Sequence, residues 1–206
     1  MTGRLAALCA GAFLALQAPA AAAPSEPQEV AFAVARPALV SVEVRWHGWV
    51  RDRRTGEVFG GTTGYDRTAS CGGAVINPDG YVATASHCVH TGADGGGGVL
   101  FDAAIEELAK AGRVGDPVKA KQAFADHGVT EGATPDSLVD REIQVRLGDD
   151  LAPATVANLV TPAGGDVAVL KVPRDRLPAM AIRDDPAPVG TPVLALGYPG
   201  TAHDGR

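Results

Sequence analysis

The residue types that could do chemistry gather in one stretch, ATASHCVH (83–90), where small residues run up to His87, Cys88 follows directly and His90 closes the run. An imidazole there can act as a general base, as a metal ligand or as a structural side chain, and each role calls on different neighbours. A base needs a nucleophile to activate and a third group to orient it. Zinc needs nitrogen and thiolate ligands, and Cys71, His87, Cys88 and His90 include the right types. Three of these crowd into one short run, however, and Cys71 has no ligand beside it. The expectation is therefore no metal and no cofactor. His47 and His127 are read as incidental, and Trp46 and Trp49 as packing residues.

The elements that must position His87 come next. In LVSVEVRW (39–46), Val40, Val42, Val44 and Trp46 alternate with polar residues, the period of a half-buried strand. RDRRTGEVFGGTTGYDRT (51–68) is polar and glycine-rich and reads as an exposed hairpin or loop. In CGGAVINPDGYVATASH (71–87), two apolar runs flank NPDG, a type I turn sequence, so a tight hairpin delivers the chain to His87. After the glycine link 92–98, helical spacing predicts helices over 100–112 and 116–128, so 91–140 reads as a helical insertion. Strands return at 142–150, 166–172 and 192–200.

Residues 1–23 read as a signal peptide, with Arg4, an apolar run over 5–18 and small residues at 19–23. The run is too short to span a bilayer, so no membrane association is expected after cleavage. An alanine- and proline-rich spacer, 24–36, follows. Cys9 leaves with the signal. Cys71 and Cys88 remain, and in an exported protein an even pair reads first as a disulfide. A location outside the cytoplasm, secreted or in the periplasm or cell envelope, follows from the signal. A net charge of −6 and a pI near 5.3 advertise no surface for nucleic acid. The 26 glycines and 15 prolines, with few aromatics, favour many short strands over a helical bundle.

Thr84-Ala85-Ser86-His87-Cys88 resembles the histidine motif of the chymotrypsin- and trypsin-like serine peptidases. GAVINPDGYVATASH is similar to the hairpin before that histidine in the bacterial HtrA/Deg-like branch and related secreted trypsin-like peptidases. GGDVAVLKV resembles their aspartate segment, and PVGTPVLALGYPG (188–200) the lead out of their first barrel. The resemblance covers about residues 37–200 outside the insertion.

The resemblance implies an all-β architecture, a trypsin-like double β-barrel. Residues 37–206 would carry the first barrel of about six strands, the insertion and the lead into the second barrel. It implies His87 as catalytic base, Asp166 as the carboxylate that orients it, and a Cys71–Cys88 disulfide closing the hairpin around the histidine. Asp149 and Asp150 compete with Asp166 but lie in LGDDL, a solvated turn. The function implied is a secreted serine endopeptidase acting on protein or peptide substrates. The serine itself is missing. Ser25, Ser41, Ser70, Ser86 and Ser137 are the only serines, none in a G-x-S-G-G run and none after Asp166. The chain then reads as the serine-less part of a longer peptidase, with a catalytically inactive trypsin-fold binding module as the alternative. An in-frame G-x-S-G-G downstream of Arg206 would separate the two.

Overall fold

The computed structural model describes residues 26–92 and 94–197. The proposed signal peptide lies outside them, as do residues 198–200 at the end of the last expected strand. In the segment read as a spacer, Pro27–Ala35 form helix α1, with Pro27 in the first turn and a reciprocal Glu26–Glu29 capping box. None of its residues is buried.

The expected all-β architecture is present as a closed six-stranded barrel. Strand β1 (Leu39–Asp52) pairs antiparallel with β3 (Tyr65–Asn77) on one side and with β6 (Asp140–Leu147) on the other. From β3 the ladder runs through β4 (Tyr81–Thr84), β8 (Val167–Lys171) and β7 (Asp150–Val160) back to β6. Val40, Val42, Val44 and Trp46 are all buried, so the alternation seen in the sequence is the inner face of β1. Val75, Val82, Val145, Ala168 and Leu170 complete that interior.

Two differences from the sequence reading concern strands. β3 begins at Tyr65, inside the stretch read as an exposed hairpin or loop, because ten consecutive residues of β1 pair with it, from Leu39↔Ala74 to Gly48↔Tyr65. Its first half is only partly buried and carries no hydrophobic alternation. In the other direction, 191–197 form no strand, although Val193 and Leu194 carry a strand-like apolar pattern; both side chains are exposed.

The NPDG turn closes β3 onto β4. The Gly80 N–H donates to the Asn77 carbonyl, and the Asp79 N–H to the Asn77 side chain. Gly80 has φ +91°, and a Cβ there would lie 2.5 Å from the Val172 carbonyl oxygen, so no other residue fits.

Between β4 and β6 lie helix α2 (Gly98–Lys110), helix α3 (Pro117–Ala125) and strand β5 (Gly128–Glu131). Asp116 caps α3 by accepting from the Val118 and Lys119 N–H groups. The short β2 (Val58–Phe59) and β5 both pair with the last residues of β1. Leu100, Phe101, Ala104, Ile105, Leu108 and Phe124 are buried, with the Phe124 ring edge-on to Phe59 and Phe101. The segment therefore shares the hydrophobic core of the barrel. At its entry Gly96 lies against the Trp46 ring, where a Cβ would come within 2.0 Å of the indole. Among the described residues no helix is long and apolar enough to cross a membrane.

Candidate active site

The site is assembled by two neighbouring antiparallel strands. β4 and β8 pair in the register Tyr81↔Lys171 to Thr84↔Ala168, so the end of one lies beside the start of the other. Beyond β4 the chain turns through Ser86–Cys88, a single 3-10 turn carrying His87. Before β8 the chain leaves β7 through a turn at Pro162–Gly164 and reaches Asp166. Asp166 has φ +55°, the left-handed region, which aspartate tolerates better than most residues. Its N–H donates to the Thr161 carbonyl, which holds that conformation.

The two side chains meet. Nδ1 of His87 lies 2.8 Å from Oδ2 of Asp166. A carboxylate only accepts, so Nδ1 carries the proton and Nε2 presents a lone pair. The other carboxylate oxygen, Oδ1, accepts from the His87 backbone N–H at 2.8 Å and from the Ser86 hydroxyl at 3.0 Å. The hydrogen bond from the His87 ring, then the one from its backbone, pull the Asp166 pKa down to about 2, against the opposing effect of burial. The His87 side chain is 55 % exposed and that of Asp166 37 %, so the pair lies open to solvent on one side. Asp149 and Asp150 sit at the β6–β7 hairpin turn, where Gly148 has φ +63°, and the carboxylate bonded to the His87 ring is that of Asp166.

Cys71 on β3 and Cys88 behind His87 form a disulfide, with Cα atoms 6.2 Å apart. The bridge ties the turn to the strand two removed from β8 in the ladder, so both flanks of His87 are anchored. The ligand atoms of Cys71, His87 and Cys88 lie within 4.8 Å of one another. The two sulfurs are bonded to each other, and a disulfide supplies no thiolate for zinc. His90 is drawn away to Asp94, 3.1 Å from its Nδ1.

The remaining histidines have structural partners. His47 contacts Asp66 at 3.3 Å and Trp49 edge-on. His127 contacts Asp52 at 2.9 Å and packs against Phe124, joining the end of α3 to the end of β1. Trp46 is fully buried, and Trp49 donates its indole N–H to the Gly61 carbonyl. The residue the sequence reading left without a role is Ser86, whose hydroxyl points at Asp166. Of the other serines, Ser41 lies buried in β1, Ser70 lies on β3, and Ser137 donates to the Thr134 carbonyl. Among the described residues, no serine hydroxyl bonds the His87 ring.

Comparison with known proteins gives two findings. A family model described as a trypsin-like peptidase domain matches residues 71–205, from the bridged cysteine of β3 through both members of the His87–Asp166 pair. Among solved structures, the active form of the Rv3671c protease from M. tuberculosis is similar at 19 % identity and a TM-score of 0.34, covering 84 % of this chain and 51 % of that one. The chain thus spans about half the length of that protease. No curated protein matches the sequence.

Proposed function

Because the chain belongs to the trypsin-like peptidase domain family, we propose that it forms the histidine- and aspartate-bearing part of a secreted serine endopeptidase. His87 is the general base and Asp166 the carboxylate that fixes its tautomer. The reading rests on one contact, His87 Nδ1 to Asp166 Oδ2 at 2.8 Å, which leaves Nε2 free to take a proton from a hydroxyl. The pair would accept that proton as the hydroxyl attacks a peptide carbonyl, then return it to the leaving amine. The attacking serine and the oxyanion-binding N–H groups are assigned to a second barrel in the longer protein, since Ser41, Ser70, Ser86 and Ser137 are all placed elsewhere. Residues 1–23 serve as export signal, 24–36 as the lead-in, 37–206 as this part of the peptidase domain and 91–140 as an insertion within it. The Cys71–Cys88 disulfide is in keeping with an oxidising compartment.

The test is made on the protein extended through its second barrel. Its turnover of a peptide substrate, and its labelling by a serine-directed fluorophosphonate, are measured with and without His87→Ala. Loss of turnover by about 10⁶-fold supports the reading. Native turnover in His87→Ala, or an extended protein with no labelled serine, would overturn it, the latter in favour of the binding module.

A further inference from the structure

We propose that Ser86 is a positioning residue of this site: its hydroxyl locks the Asp166 carboxylate so that Oδ2 faces the imidazole. The inference deepens the proposed peptidase reading and rests on it.

Three observations carry the proposal. Ser86 is fully buried, and its hydroxyl donates to Asp166 Oδ1 at 3.0 Å, its single hydrogen-bond partner among the described residues. A buried hydroxyl gains nothing over a methyl unless it is bonded, and here the bond goes to the orienting carboxylate. Second, the two oxygens of Asp166 are unequally served. Oδ1 takes two donors, from Ser86 and the His87 backbone, while Oδ2 takes only the ring N–H. Two donors on one oxygen define the plane of the carboxylate, whereas the backbone donor alone leaves it free to swing. Third, the placement follows from the sheet. Thr84 opposes Ala168, and continuing that register by two residues sets Ser86 opposite Asp166. The contact is thus supplied by the first barrel itself and does not wait for any other part of the protein.

The consequence is a division of labour. The His87 N–H and Ser86 hold the carboxylate still, and the carboxylate holds the ring. During proton transfer the imidazole becomes charged, and an immobilised carboxylate meets that charge without reorganising. The hydrogen bonds from the His87 ring and backbone, and after them the one from Ser86, hold the Asp166 pKa down, so the titration of Asp166 reports on this arrangement directly.

The experiment uses the 206-residue chain and reads the pair, not turnover, so that its failure is distinguishable from failure of the peptidase assignment. The Asp166 carboxyl is titrated by carbon NMR, and the His87 Nδ1 proton is followed at neutral pH, in the native chain, Ser86→Ala and Ser86→Thr. In Ser86→Ala the Asp166 midpoint is expected to rise by about one pH unit, and the Nδ1 proton signal to broaden or vanish through faster exchange. Ser86→Thr keeps the hydroxyl and should keep both readings near native. An unchanged midpoint and proton signal in Ser86→Ala would overturn the proposal, as would equal changes in both variants, which would mark a packing effect. Should Ser86→Ala fail to fold, Ser86→Cys takes its place. It is slightly larger than serine, donates weakly, and is expected to give the same changes in smaller measure.

Discussion

Thr84 stands opposite Ala168 in the β4–β8 ladder, and the chain segments leaving that pair carry His87 and Asp166 into contact. The contact is therefore a property of strand register. A slip by one residue would turn every side chain of β4 to the other face and separate the pair.

Exchange of Asp166 for asparagine keeps the shape and removes the charge. An amide that presents its NH₂ group to Nδ1 favours the wrong tautomer of His87. Turnover by the extended protein is expected to fall by up to about 10⁴-fold with little change in KM. Steady-state kinetics on Asp166→Asn check this, and near-native kcat would remove Asp166 from its assigned role.

Acid should weaken the site in a defined window. The folded pKa of Asp166 lies near 2, below its ordinary value near 3.9. The sign follows from linkage: the carboxylate stabilises the fold fully above about pH 4, and that contribution is lost as pH falls through about 2. Denaturant unfolding of the native chain and Asp166→Asn should therefore show a stability gap that is constant at mildly acidic pH and closes toward pH 2. A gap independent of pH across this range would contradict the assignment of the low pKa to this carboxyl.

Reduction of Cys71–Cys88 removes a cross-link with a sequence separation of 17 residues. In the chain-entropy treatment, a loop of that size contributes about 3 kcal/mol. Denaturant midpoints with and without dithiothreitol measure the effect. The oxidised protein without residues 1–23, which include Cys9, should show no free thiol after denaturation without reductant.

Gly96→Ala tests how the 91–140 segment is seated. Its Cβ would come within 2.0 Å of the Trp46 ring, which is fully buried and has no room to retreat. A loss of about 1–3 kcal/mol is expected from overpacking. Phe124→Ala should cost about 3–5 kcal/mol by opening a cavity between Phe59 and Phe101. Stabilities within a few tenths of native for both variants would show that the segment is not part of the core.

What the sequence made legible was whatever carries a local signal. The inward valines of β1, the NPDG turn and the helical spacing around Phe101, Ile105 and Leu108 can each be read within a dozen residues. β7 could not, because its inward face is carried largely by the small Ala152 and Ala154 and the strand contains Pro153. Nor could the first half of β3 or the strand β5, whose pairing is dictated by β1 and not by their own side chains. The 192–200 stretch shows the opposite error: an apolar run looks like a strand, but 192–197 have no ladder partner. At the site, His87 and Asp166 were legible through motif order, 79 residues apart. Ser86 was in plain view within the same motif, yet its contact depends on a left-handed backbone at Asp166, which no residue pattern announces.

β1 belongs to two structures at once: its first ten residues pair with β3 and, over Ser41–His47, with β6 to close the barrel, and its last four hold β5 and β2. A single continuous strand through both means that neither can lose its ladder without pulling on the other. Amide hydrogen exchange should then find Val42 and Val50 opening with one shared free energy, and the helices of 91–140 melting together with the strands that carry His87. The segment proposed as an insertion is thus expected to behave as a full member of the molecule's cooperative unit.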